Sequence, residues 1–92
     1  MIKFEWDPRK DSANQRKHGV SFEEAQSVFF DENAVQFYDE HHADQEDRFI
    51  MLGLSIRSGI LVVCHCERES GNVIRIVSAR KATKSEGKYY GG

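Results

Sequence analysis

The first residues of the chain alternate between apolar and charged side chains. Ile2, Phe4 and Trp6 are apolar, and a charged residue lies between each of them and the next. A period of two is typical of a short strand with one buried face. We therefore predict a first strand over residues 2–6.

The next segment carries the start and stop signals of a helix. Asp7 can accept hydrogen bonds from the free N–H groups of a first turn, and Pro8 fits the first helical position, where its missing N–H costs nothing. Gly19 can adopt the left-handed conformation that ends a helix. These signals predict a helix over residues 8–18, whose polar side chains form one continuous face.

A second short helix is predicted over residues 22–29. Ser21 and Glu24 have the spacing of a capping box, in which each side chain accepts a hydrogen bond from the backbone N–H of the other residue. Its apolar positions would face the core: Phe22, Ala25, Val28 and Phe29.

Four strands and a short helix complete the pattern. The predicted strands cover residues 34–38, 48–55, 60–67 and 73–80, with a solvated loop over residues 41–47 and a helix within residues 82–90. Two helices packed on one face of an antiparallel sheet make an α+β fold whose other face is at least partly open. We expect the functional site on that open face.

Length and composition restrict the class of protein. The chain has 92 residues, of which 39% are hydrophobic and 30% charged, so we expect a single domain over residues 1–92. No apolar run approaches the ~20 residues of a membrane-spanning helix, and the first residues lack the apolar stretch of a signal peptide. We therefore expect a cytoplasmic protein that does not contact a membrane.

The sequence contains none of the common cofactor or metal motifs. A Gly-rich phosphate loop, G-x-S-x-G and Cys-x-x-Cys are all absent. Cys64 and Cys66 on one strand would have Cα atoms ~6.5–7 Å apart, at or past the limit for a disulfide. His65 would point to the opposite face, where we expect it to be half-buried and hydrogen-bonded. We predict reduced thiols, no metal and no cofactor.

The net charge of −2 hides an uneven distribution along the chain. Residues 31–47 contain acidic side chains and no lysine or arginine. Only Glu86 opposes the basic side chains at the C-terminal end, which are Arg75, Arg80, Lys81, Lys84 and Lys88. Either block could be an ordinary solvated surface. The basic block is more indicative of anion binding, because it directly follows a strand.

Basic residues and a histidine are sufficient to cleave RNA without a metal ion. RNA supplies its own nucleophile, the 2′-hydroxyl, so a nuclease need only align it, accept its proton, stabilise the phosphate and protonate the leaving oxygen. Arg75 and Arg80 could hold phosphate oxygens bidentately, or could form surface ion pairs. His18 could transfer protons, or could cap the end of its helix.

Strand alternation bears on whether the two arginines share one site. Positions 75 and 80 are an odd number of residues apart, so Arg75 and Arg80 point to opposite faces unless a bulge or the strand end intervenes. Near the C-terminus, Tyr89 and Tyr90 could stack on bases or could pin the last helix to the sheet.

Three segments in order span nearly the whole chain: F-E-W-D-P-x-K at 4–10, N-x-x-K-H-G-V-S-F-E-E-A at 14–25, and I-R-I-V-S-A-R-x-A-T at 74–83. Together they resemble the BrnT toxin family of type II toxin–antitoxin systems. The resemblance implies a RelE-like fold, with two N-terminal helices on an antiparallel β-sheet. It also implies a metal-independent endoribonuclease that inhibits translation and is neutralised by a cognate BrnA antitoxin. Operator DNA would be contacted only indirectly, through the antitoxin.

The resemblance also assigns a polar signature to this chain, namely Lys10, Asn14, Lys17, His18, Glu24, Arg75, Ser78 and Arg80. We rank four of these as catalytic candidates: Lys17, His18, Arg75 and Arg80. Asn14 and Glu24 rank lower as catalysts because capping or buried hydrogen bonds would explain them equally well. RNA binding is predicted for Lys10, Asn14, Lys81 and Lys84. In RelE-type folds a C-terminal tyrosine can take part, which would require the tail to fold back.

A second hypothesis belongs to a different class. The chain could be a non-catalytic protein-binding module that acts with a DNA-binding partner as a co-repressor. An uncovered groove and the lack of an assured acid–base pair favour it. The two hypotheses differ in whether the free protein cuts RNA in the presence of EDTA.

Overall fold

The computed structural model describes residues 2–42 and 47–91, and part of the predicted loop over 41–47 lies outside these ranges. The described residues form five strands and three α-helices: β1 (Lys3–Glu5), α1 (Pro8–His18), α2 (Phe22–Ser27), β2 (Val35–Tyr38), β3 (Asp47–Leu54), β4 (Ile60–Arg68), β5 (Val73–Lys81) and α3 (Lys84–Gly87). Single 3₁₀ turns lie at Val28–Phe30, Glu40–His42 and Glu69–Gly71. Within these ranges, none of the helices is long and apolar enough to cross a membrane.

The strands form one sheet in the order β1-β5-β4-β3-β2. Strands β2 to β5 pair in antiparallel fashion, as predicted, but β1 pairs with β5 in parallel. The prediction of an antiparallel sheet was therefore wrong for β1. Local patterning contains no information about this pairing, because two helices and three strands lie in the chain between Phe4 and its neighbour Ile74.

Helix α1 begins and ends at the predicted residues. The Asp7 side chain accepts a hydrogen bond from the Arg9 N–H at 2.9 Å, and Pro8 occupies the first turn. Gly19 has φ of 71°, and its N–H donates to the Gln15 carbonyl at 2.9 Å. Both ends of the helix are thus capped by local interactions, which explains why the sequence alone located them.

Only half of the predicted capping box forms at α2. The Ser21 hydroxyl accepts from the Glu24 N–H at 3.0 Å. The Glu24 carboxylate instead accepts hydrogen bonds from the Ser55 hydroxyl and the Ser58 N–H, both at 2.8 Å. Glu24 therefore fixes the turn between β3 and β4. The full capping box occurs at α3, between Thr83 and Glu86.

One hydrophobic core lies between the helices and one face of the sheet, and its buried members are Val20, Phe22, Ala25, Val28, Leu61, Val63, Ile74, Ile76 and Ala79. His65 lies on this face of β4 with none of its surface exposed. Its ring stacks on Phe49 and meets the edge of Phe29. Its Nε2 lies 3.5 Å from Glu67 Oε2, but neither ring nitrogen makes a hydrogen bond with the described residues, so the expectation of a half-buried, hydrogen-bonded histidine was wrong. Burial lowers the pKa of His65 and favours the neutral ring.

Candidate functional site

A β-bulge at Val77 determines which face of the sheet the side chains of β5 occupy. Ser78 and Ile76 pair with consecutive residues of β4, which leaves Val77 without a partner in the ladder. Ile76 therefore stays in the core, and the alternation of β5 is inverted beyond the bulge. As a result, Arg75 and Arg80 point to the same face, whereas simple alternation places them on opposite faces.

This face, which we call the open face, is turned away from α1 and α2. By the strand register its side chains on β1, β4 and β5 are Lys3, Glu5, Ile60, Val62, Cys64, Cys66, Arg68, Val73, Arg75, Ser78 and Arg80. On β2 and β3 they are Val35, Phe37, Arg48, Ile50, Leu52 and Leu54. Charged residues therefore occupy the end of the open face near β1, and apart from Arg48 the residues at the opposite end are apolar.

Arg80 is held by a carboxylate from α3. Its two terminal nitrogens donate to Glu86 Oε1 and Oε2, both at 2.7 Å. This pairing and the Thr83 N–H lower the pKa of Glu86 to about 2. The Arg80 side chain keeps 40% of its surface exposed, so an anion in solvent can approach it. An anion that binds Arg80 bidentately must nevertheless displace Glu86.

The C-terminal tail folds back over the apolar end of the open face. The Tyr90 hydroxyl donates to Asp31 Oδ2 at 2.7 Å, and the Tyr89 ring meets Phe37 edge-on at a centroid distance of 6.5 Å. The tyrosines thus pin the tail to the sheet, as one of the two sequence interpretations predicted. The hydrogen bond to Asp31 raises the pKa of Tyr90, which disfavours its deprotonation to act as a base.

A second concave surface lies between α1 and the edge of β5. Strand β1 pairs only with residues 73–75 of β5, and α1 lies along the strand beyond that point. The groove has a volume of about 210 Å³. We call it the edge groove, and its lining residues are Lys10, Ala13, Asn14, Lys17, His18, Val77 and Ser78.

Asn14 attaches α1 to this edge of the sheet. Its side-chain amide donates to the carbonyls of Val20 and Ala79 at 2.8 Å each, and its Oδ1 accepts from the Ala79 N–H at 3.1 Å. Asn14 is buried and bonds Ala79 as a neighbouring strand would. Both amide hydrogens are therefore engaged in the fold, and a ligand could use only the remaining lone pair of Oδ1.

The structure brings the predicted catalytic residues together in two groups. Lys17 and His18 line the edge groove, whereas Arg75 and Arg80 lie on the open face. Ser78 connects the groups, because it lies on the open face by register and also lines the groove. Two other predicted RNA-binding residues, Lys81 at the end of β5 and Lys84 in the first turn of α3, are exposed and do not line the groove.

The cysteines do not form a disulfide in the described structure. Cys64 and Cys66 are free thiols on the open face, and His65 points into the core on the other side of the sheet. Within residues 2–42 and 47–91 there is no group of three His, Cys, Asp or Glu residues arranged to hold a metal ion.

Sequence reasoning missed Arg48 as a functional candidate. This residue lies on the open face of β3, opposite Cys66, whose other cross-strand neighbour is Arg75. The Nε atom of Arg48 is buried and has no hydrogen-bond partner among the described residues. The strand pattern predicts Arg48 at the start of a strand, but only the register shows which residues lie beside it.

The fold and these surfaces define a small α+β protein with lysines and a histidine along one sheet edge and arginines on the adjoining face. A crystal structure of the Brucella abortus ribonuclease toxin, BrnT, has a similar fold, with a TM-score of 0.71. The two sequences are 23% identical, and the match covers 91% of this chain and 100% of the other. A comparison with curated proteins finds no significant match.

The family model of the BrnT ribonuclease toxins of type II toxin–antitoxin systems matches residues 6–86. The match spans most of the chain, and the chain therefore belongs to this family. This confirms the resemblance inferred from the three sequence segments. Membership in a type II toxin–antitoxin system implies a protein antitoxin as partner.

Proposed function

We propose that this chain, as a single toxin domain over residues 1–92 with a RelE-like arrangement of helices and sheet, is a metal-independent endoribonuclease. It cleaves cellular RNA and thereby inhibits translation. The reaction uses the 2′-hydroxyl of the RNA as nucleophile, so the protein's own side chains provide proton transfer and charge stabilisation.

Four residues carry this chemistry in the proposal. His18 transfers a proton to or from the reacting oxygens, since an imidazole ring can both donate and accept a proton. Lys17 beside it, together with Arg75 and Arg80, stabilises the negative charge that builds up on the phosphate. Arg80 acts after an RNA phosphate has replaced the Glu86 carboxylate, which offers the same bidentate geometry.

The single observation that supports this proposal most strongly is the continuity between the edge groove and the open face at Ser78. A histidine, two lysines and two arginines from distant parts of the sequence therefore border one surface. Lys10, Asn14, Lys81 and Lys84 add RNA-binding contacts in the proposal, the lysines as point charges for phosphate oxygens and Asn14 through Oδ1.

A BrnA antitoxin neutralises the toxin in this proposal. Operator DNA is then bound indirectly, through the antitoxin's own DNA-binding domain.

Cleavage of RNA by the purified protein in excess EDTA tests the proposal. We expect fragmentation by the wild type, a loss of about 10²-fold or more in rate for His18→Ala, and a comparable loss for Lys17→Ala. Arg80→Ala should also abolish cutting while the protein stays folded. Arg16→Ala is the matched control, because Arg16 is exposed on α1 and does not line the edge groove. Intact RNA after incubation with folded wild type would contradict the proposal.

A non-catalytic protein-binding module is the alternative function. It is favoured by two hydrogen-bonded pairs, because Arg80 already bonds Glu86 and Tyr90 already bonds Asp31. The exposed Phe37 beside Tyr89 would then be part of a protein-binding surface. Absence of cleavage in EDTA together with tight antitoxin binding would favour this alternative.

A further inference from the structure

We infer that the RNA-binding surface extends across the open face to Arg48, which forms with Arg75 a second phosphate site beyond the edge groove. The inference rests on the proposed ribonuclease function and adds the direction in which the RNA strand runs over the protein.

The first argument is the register of three neighbouring strands. Arg48 on β3 and Arg75 on β5 are both cross-strand partners of Cys66 on β4. The two arginines therefore flank one residue on the same face, with Cα atoms two strands or ~9.5 Å apart. At this separation, long guanidinium side chains can converge on one phosphate or hold two neighbouring ones.

The second argument concerns hydrogen bonds. The Arg48 Nε is buried, and no hydrogen-bond acceptor for it exists among the described residues. Arg48 is therefore not fixed to the fold through this nitrogen, and an anion on the open face would meet the terminal nitrogens of its guanidinium group. Phosphate oxygens are strong acceptors that match the planar donor fork of arginine.

The third argument is the position of the nearest carboxylate. Glu5 on β1 is the cross-strand neighbour of Arg75, but its Oε1 accepts a hydrogen bond from Arg68 at 3.2 Å. No ion pair or hydrogen bond to the Arg75 side chain is found within the described part of the chain. Arg80 forms an ion pair with Glu86, whereas Arg75 forms none with the described residues, although Glu5 lies opposite it on β1.

The site is also continuous with the edge groove. Arg75 and Ser78 lie on the same face of β5, with the Val77 bulge between them. A strand of RNA that leaves Lys17 and His18 can therefore pass Ser78, reach Arg75 and cross β4 to Arg48. Each contact adds to affinity through phosphate binding and counterion release, without sequence preference.

Binding of a short single-stranded RNA with methylated 2′-hydroxyls tests this inference separately from cleavage. Methylation removes the nucleophile, so binding is measured without turnover. We expect Arg48→Ala and Arg75→Ala each to weaken binding about tenfold, and each to reduce the slope of log affinity against log salt by about 1. Arg48→Lys keeps the charge and should retain most of the salt slope.

Arg57→Ala is the matched control, because Arg57 is an exposed arginine in the turn at the far end of the β3–β4 hairpin. Circular dichroism and thermal unfolding identify any variant that fails to fold.

Wild-type affinity and salt slope in folded Arg48→Ala would overturn the inference, even if the wild type cleaves RNA. Weaker binding of the antitoxin by Arg48→Ala with RNA binding unchanged would overturn it in favour of a protein contact. Arginine-dependent binding without cleavage would support this site and contradict the proposed activity.

Discussion

The ion pair between Arg80 and Glu86 joins the capping residue of a helix to a side chain of the proposed active site. Glu86 completes the capping box of α3, and its carboxylate holds both terminal nitrogens of Arg80. The pair therefore attaches the last helix to the end of β5. It also occupies the two terminal nitrogens of Arg80 that the proposed reaction requires. Phosphate binding at Arg80 therefore competes with docking of the tail.

Substitution of Glu86 by glutamine tests the strength of this pair through pH. The folded protein holds the pKa of Glu86 at about 2, below the ordinary value of 4.5. Its stabilisation is therefore present above pH 4.5 and is lost as the pH falls toward 2. We expect wild type to unfold at higher urea than Glu86→Gln at pH 7, and the difference to disappear near pH 2, with Trp6 fluorescence as the signal.

Glu32→Gln is the control for this measurement, since Glu32 is exposed and lies outside α3. Its effect on unfolding should be small and should not follow the same pH dependence. A difference between wild type and Glu86→Gln that stays constant from pH 7 to pH 2 would show that the pair does not form in solution.

At the scale of elements, Gly53 shows why strand β3 can lie so close to the helical layer. A Cβ at this position would be 2.6 Å from Val28 Cγ1 and 3.0 Å from Ala34 Cβ. Gly53 lies on the core-facing side of its strand, directly below the 3₁₀ turn that follows α2. The missing side chain therefore allows the chain after α2 to pack against the sheet.

Gly53→Ala should destabilise the protein by about 1–3 kcal/mol, because the added methyl group forces two packed elements apart. Gly87→Ala is the matched control. A Cβ at Gly87 would meet no atom within 4 Å, and Gly87 lies in a helix, where alanine is favourable. Urea unfolding measures both changes, and equal stabilities of the two variants would contradict the close approach at Gly53.

At the scale of the whole molecule, the arrangement of charge matters more than its sum. The chain has a net charge of −2, but basic side chains line the edge groove and the adjoining end of the open face. Local positive potential of this kind attracts a phosphate backbone even when the total charge is negative.

Expression in bacterial cells without an antitoxin tests the proposed function of the complete molecule. We expect growth arrest with fragmented total RNA, and recovery when a cognate antitoxin is co-expressed. His18→Ala, produced at the same level, should permit growth. Normal growth and intact RNA in cells containing folded wild-type protein would count against the toxin activity.

Much of the local structure was predictable from sequence. The bounds of α1 follow from Asp7, Pro8 and Gly19, which act within one turn of the residues they cap. The three antiparallel connections from β2 to β5 follow from alternating apolar positions separated by turns. The family was also recognisable, because each of the three segments that carry the resemblance is continuous in the chain.

The candidate site was predictable in part. Lys17 and His18 were expected to work together, and the edge groove contains both of them. The site residues themselves remain predictions, since only activity measurements can assign their roles. Arg48 was not found, because its relation to Arg75 exists only across three paired strands.

The amino-acid sequence by itself determined the elements and the family, since caps, turns and apolar periodicity act between residues close together in the chain. Only the tertiary structure decided the parallel pairing of β1, the shared face of Arg75 and Arg80, and the ion pair of Arg80 with Glu86. The physical reason is that pairing register, bulges and long side-chain contacts depend on which distant segments pack together, and one unpaired residue at Val77 inverts the alternation of the strand beyond it.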